Sequence, residues 1–79
     1  MMILQGDYQH RLEKIMQEYR GTRPSSLYSV LDEVINSVRV GEIVDSYQAR
    51  YIRDALFSNE AVKASNEDII DFIEKEFFS

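Results

Sequence analysis

The chain reads as an all-α protein, a small compact bundle of four amphipathic helices. Two observations predict this. From residue 27 to residue 38 the apolar side chains Leu27, Val30, Leu31, Val34, Ile35 and Val38 fall at i, i+3, i+4, i+7, i+8 and i+11, with Ser29, Asp32, Glu33, Asn36 and Ser37 filling the gaps. That is the 3.6-residue period of a helix with one buried face; a strand would alternate with period two. The second observation is punctuation. Gly21 follows one helical stretch, Pro24 opens the next and Gly41 closes it, the positions each residue prefers. The 79 residues form one domain, 1–79, with no internal repeat or low-complexity stretch.

The first helix is expected over residues 7–20. Tyr8, Leu12, Ile15, Met16 and Tyr19 make a narrow apolar stripe, and Gln9, His10, Arg11, Glu13, Lys14, Gln17 and Glu18 make the opposite, polar face. The second spans 25–39, with Ser25 or Ser26 able to cap it and Arg39 suiting the negative end of its dipole. Residues 40–44 form a link in which Gly41 takes the left-handed conformation and Ile43 tucks into the core. A third helix over 45–56 is capped by Asp45 or Ser46. It turns Tyr51, Ile52, Ala55 and Leu56 inward and Arg50 and Arg53 outward, and Phe57 marks its end. Residues 57–64 read as a loop with room for a short helical turn, anchored by Ala61 and Val62. Ser65 caps the last helix, 66–78, whose first turn is acidic and whose core face is Ile69, Ile70, Ile73 and Phe77. Leu31, Val34, Ile52 and Ile73 lie near the centres of their apolar arcs and should be nearly fully buried.

Charge and composition narrow the function classes. Net charge is −5, and the excess lies at the C-terminal end, where residues 59–79 carry two basic and six acidic groups. An acidic balance repels phosphate at long range and disfavours nucleic acid and anionic lipid, while favouring a basic protein partner. The chain has no cysteine, which fits a reducing compartment. No apolar run approaches the ~20 residues of a membrane span, and residues 1–4 lack the features of a signal peptide. A cytoplasmic protein without membrane contact is expected.

No constellation of catalytic or metal-binding residues emerges. His10, the only histidine, sits on the polar face of its helix with Lys14 four residues on, and reads as solvated. Glu67, Asp68, Asp71, Glu74 and Glu76 form an acidic ridge on the last helix. Calcium loops need alternate ligands around a glycine, and hydrolytic carboxylates must converge in a cleft. A convex ridge provides neither, so it reads as a solvated acidic face or a docking surface for a basic partner.

Two further readings come from the third helix. With the second helix and the Gly41 turn it could form a helix-turn-helix, presenting Tyr47, Gln48, Arg50 and Arg53 to nucleic acid; few other basic residues back it. In an acidic four-helix chain of this length, Asp45-Ser46-Tyr47 at a helix start also resembles the Asp-Ser-Leu of the acyl carrier proteins. The serine of that motif carries a phosphopantetheine arm, so the resemblance implies a carrier role for Ser46. Here Tyr47 replaces the family's leucine, and two long helices precede Ser46 where the family has one helix and a long loop. As local chemistry, Asp45 and Ser46 are helix caps.

The leading expectation is a non-enzymatic protein–protein interaction domain, such as a small regulator, adaptor or immunity- or antitoxin-type inhibitor of a protein target. No catalytic residue, metal or cofactor is expected. The candidate partner-binding residues are Tyr47, Arg50, Arg53, Phe57, Phe72 and Phe78. Phe57, Phe72, Phe78 and Tyr28 are the large side chains hardest to fit into one small core, and exposed aromatics mark interfaces. Since Ile69, Ile70, Ile73 and Phe77 fill one face of the last helix, Phe72 and Phe78 predict a homodimer through it. No nucleic acid is expected as partner.

Overall fold

Residues 2–78 are described in the computed structural model. In chain order they form β1 (Met2–Ile3), α1 (Gly6–Gly21), a 3-10 turn (Ser25–Leu27), α2 (Tyr28–Arg39), β2 (Glu42–Ile43), α3 (Ser46–Leu56), α4 (Glu60–Ser65) and α5 (Glu67–Phe77). The all-α bundle is what the periodicity predicts. α1 packs most extensively on α2 and also on α3, and α3 meets both α2 and α5. The radius of gyration is 11.4 Å, close to the ~12 Å of a compact chain of this length.

Leu31, Ile52 and Ile73 are fully excluded from water, and Val34 is 1% exposed, as their central positions require. Leu12 and Met16 from α1, Val38 from α2, Leu56 from α3 and Ile69 from α5 complete the centre. The narrow stripe of α1 is widened by Tyr8, Ile15 and Tyr19, which pack at the edges of the same core.

Several boundaries differ from expectation, each for a local reason. Neither Ser25 nor Ser26 caps α2. Pro24 instead starts a 3-10 turn without a side-chain cap, and the α-helix begins at Tyr28. The stretch read as a loop contains α4, because Asn59 Oδ1 accepts from Val62 N–H at 2.8 Å and caps it. Val62 is half-buried, whereas Ala61 is exposed and anchors nothing. Ser65 is the last residue of α4 and not the cap of α5; Asn66 takes the junction, its Nδ2 donating to Val62 C=O at 2.8 Å. Asp45 caps α3 as expected, accepting from Gln48 N–H at 2.9 Å, and α3 ends at Leu56 with Phe57 beyond it.

The element absent from the sequence reading is the ribbon. Met2 pairs with Ile43 and Ile3 with Glu42, antiparallel, and Leu4 N–H donates to Gly41 C=O at 2.8 Å. The period of two then sorts the side chains. Met2 and Ile43 turn into the core, while Ile3 stands 73% exposed. Gly41 makes the turn possible with φ of 80°, a left-handed conformation that side-chain-bearing residues adopt at a cost. Gln48, 5% exposed, locks the link from inside. Its Oε1 accepts from Val44 N–H at 3.1 Å and its Nε2 donates to Ser37 Oγ at 2.9 Å.

The polar face of α1 is not simply solvated. Gln9 donates to Arg39 C=O at the end of α2, and Glu13 holds the Arg39 guanidinium at 2.9 Å. Arg11 reaches the far end of the chain. Its two terminal nitrogens lie 2.9 and 2.8 Å from the two carboxylate oxygens of Asp68, and it also donates to Asn66 Oδ1 at 2.9 Å and to Asp7 at 3.1 Å. This planar fork on a carboxylate is the strong, directional form of an ion pair. It gives Asp68 of the acidic ridge a partner while leaving it exposed, and His10 is exposed as well.

Two outcomes follow from this packing. Leu31→Ala should lower stability by about 2–5 kcal/mol, read as a large fall in the denaturant midpoint; an unchanged midpoint would refute the burial. The Arg11 guanidinium holds the Asp68 carboxyl below its ordinary value. A carboxylate depressed in the folded state contributes stability that is full above the unfolded value, about pH 4, and lost as pH falls through the folded one. The melting temperature should therefore drop on acidification below about pH 4, and Asp68→Asn should flatten that drop while lowering the melting temperature at neutral pH.

Candidate interaction face

Successive steps of about 100° along a helix place Tyr47, Arg50, Asp54 and Phe57 on the arc of α3 opposite buried Ile52. The structure distributes the six candidate residues unevenly over this arc and beyond it. Tyr47 is 56% exposed, its ring edge-on to Tyr51 at 5.4 Å. Tyr51 itself is half-buried, and its hydroxyl proton is held more tightly than usual by the Tyr47 hydroxyl and by burial. Arg50 is exposed and makes no ion pair or ring contact among the described residues. Phe57 is 44% exposed with the Lys63 ammonium 4.9 Å from its ring.

Arg53 and Phe78 are brought together, the guanidinium lying 4.0 Å over the ring. Phe72 meets Tyr8 of α1 at 5.4 Å between centroids. Both phenylalanines pack against the core. The premise that one of them stands in water is therefore corrected, and the geometric reason for a dimer through the last helix falls away. Tyr28, also hard to place by sequence, lies beneath the Arg20 guanidinium at 4.5 Å. Gln48, read as a side chain that a recognition helix could present, is buried in the link and has its hydrogen bonds made there.

Sequence reasoning passed over Ile3, Val40 and Val44. Together with Tyr47 and Phe57 they are, among the described residues, the large apolar side chains that stand exposed, at 73% for Ile3, 71% for Val40 and 46% for Val44. Ile3, Val40, Val44 and Tyr47 all flank one structural feature, the ribbon and its continuation into α3. Ile3 is opposite Glu42, and Val44 follows two residues on, so both belong to the outward face of the ribbon. Only the short alternation Glu42-Ile43-Val44 hints at this in the sequence.

The concave regions are polar and carry no reactive arrangement. A cleft of about 410 Å³ between α1 and α2 is lined by Gln17, Arg20, Asp32, Ile35, Asn36 and Arg39. Its one carboxylate, Asp32, is already held by Arg20 Nε at 2.6 Å. A smaller cleft of about 160 Å³ lies between Tyr19 and Val62. Among the described residues, no group of three or more His, Cys, Asp or Glu side chains is placed to hold a metal ion, and no helix is long and apolar enough to cross a membrane.

Comparison with protein-family models, with curated proteins and with solved structures finds no match to this chain.

The two arginines of α3 should separate on substitution. Arg53→Ala should cost about 0.5–1 kcal/mol through loss of its ring contact, and Arg50→Ala should stay within about 0.5 kcal/mol of the parent. Chemical denaturation measures both; equal effects would show that the Arg53–Phe78 contact contributes nothing.

Proposed function

We propose that the protein is a non-enzymatic protein–protein interaction domain that binds a protein target through the outward face of its ribbon, acting as a small regulator, adaptor or inhibitor. The observation that carries this is that four of the five large apolar side chains exposed among the described residues, Ile3, Val40, Val44 and Tyr47, flank one feature, Phe57 being the fifth. Contiguous exposed apolar surface on a soluble domain is where partners bind.

The helix-turn-helix reading finds less support. Arg11, Arg20 and Arg39 are committed to carboxylates, and Arg23 and Arg53 lie over aromatic rings of the same chain. Arg50 is left alone on α3 to meet phosphate, against a net charge of −5. Phosphate binding draws on several free cations at once.

The test compares tagged parent, Val40→Asp/Val44→Asp and Arg50→Ala/Arg53→Ala proteins, each first checked for parental helicity. The parent and the arginine variant should retain the same protein partner from extracts of the native cell, and the valine variant should lose it. Equal retention by all three would overturn the assignment of the face. A salt-sensitive shift of DNA by the parent, abolished in Arg50→Ala/Arg53→Ala, would overturn it in favour of nucleic-acid binding.

A further inference from the structure

Building on the binding role proposed above, we infer that the outer edge of β1 accepts an extended segment of a basic protein as a third strand, with an arginine or lysine opposite Ile3. The register decides which backbone groups are spent. Met2 and Ile43 face each other as a hydrogen-bonded pair, and Leu4 N–H donates to Gly41 C=O. The Ile3–Glu42 pair between them is then the non-bonded kind, so the N–H and C=O of Ile3 point away from β2. Among the described residues the N–H and C=O of Ile3 find no other partner, and the residue is 73% exposed. Edge strands are commonly blunted by shortness, lysine, proline or a bulge; β1 is short, at two residues, and carries none of the other three. An added strand satisfies the two free groups of Ile3 and covers its side chain.

Charge selects the occupant. Glu42 lies directly across the ribbon from Ile3 and makes no ion pair among the described residues. Asp45, three residues on, is exposed and likewise unpaired with any cation there. A second copy of this chain would set Ile3 against Ile3 and offer Glu42 no cation, and each copy carries a net charge of −5. A cationic residue opposite Ile3 does the reverse. Its methylene stem lies along the isoleucine while its charge reaches toward Glu42, two strand spacings or about 10 Å from its own backbone. The small extent of the patch points the same way. On β1 itself Ile3 alone stands exposed, contact for one strand and not for the roughly 20–30 residues a side of a standard globular interface.

The probe is the blocked peptide Thr-Val-Arg-Val-Thr, titrated to millimolar concentration into the full chain and followed by amide NMR. The expected result is slowed exchange of the Ile3 amide, with chemical-shift changes centred on residues 2–4 and 42–44. Ile3→Pro removes the outward N–H without touching the β1–β2 bonds and should weaken binding about fivefold relative to Ile3→Ala, which controls for the side chain. Glu42→Gln should weaken it a few-fold, and replacing the peptide's arginine by glutamate should abolish it. Absence of Ile3 protection at millimolar peptide, or equal affinity of Ile3→Pro and Ile3→Ala, overturns the strand addition. If a native partner is still lost in Val40→Asp/Val44→Asp but is insensitive to Ile3→Pro, the strand addition fails while the binding role stands. If neither variant matters, both fail.

Discussion

Arg11 ties together parts of the chain that no backbone ladder joins. It sits on the first helix, yet its guanidinium closes on Asp68 and Asn66 at the start of the last, more than fifty positions later. The α4–α5 junction depends on this contact in a specific way. Asn66 is 8% exposed, and its side-chain oxygen takes its hydrogen bond from Arg11 while its amide stops α4 by binding Val62 C=O. Without the guanidinium, a buried acceptor would lose its partner, which costs on the order of 1–3 kcal/mol. The same fork anchors the first turn of α5, whose Ile69 and Ile73 enter the core, while Asp68 stays at the surface. A chain without cysteine, and of this length, relies on such directional polar contacts to fix how its helices meet.

Four of the other arginines follow the same economy. Arg20 lies on Asp32 and over Tyr28, Arg23 over Tyr19, Arg39 on Glu13, and Arg53 over Phe78. Guanidinium groups are suited to this because they are flat, weakly hydrated and always charged. The consequence for function is that much of the positive charge is spent inside the molecule, and the field presented outward is that of the carboxylates. Such a surface attracts basic proteins and repels polyphosphate. In the binding role proposed above it would act together with the apolar side chains at the ribbon, charge guiding encounter and desolvated apolar contact holding a complex.

The link between α2 and α3 is held by a few of its residues and leaves others outward. Gly41 supplies the left-handed turn, Ile43 anchors the strand in the core and Gln48 fastens the link to Ser37. With those three holding the backbone, Val40, Val44 and Tyr47 can stand outward at little risk to the fold. Asp45 caps α3 through its carboxylate, so the Asp45-Ser46 pair has a local structural task of its own. A rigid turn carrying exposed side chains is the arrangement that binding surfaces commonly use.

Periodicity and punctuation, both local properties, were enough to place the four longer helices and most of the core, though not α4. Leu31, Val34, Ile52 and Ile73 are buried because a 3.6-residue repeat leaves an apolar arc only one way to face. The left-handed Gly41, the Asp45 cap and the end of α3 before Phe57 were legible for the same reason, since each depends on its neighbours in the chain. Other features depend on residues distant in sequence. Two segments of two residues each carry no period to detect, so the ribbon, and with it the exposure of Ile3 and Val44, arises only when Met2 finds Ile43. Phe72 and Phe78 could not be placed on α5 alone, because what covers them comes from Tyr8 on α1 and Arg53 on α3. Arg11 and Asp68 each read as ordinary surface charge until the fold set them face to face. Local pattern fixes which face of a helix turns inward; which polar groups meet, and which apolar ones are left over, is decided by how those faces pack.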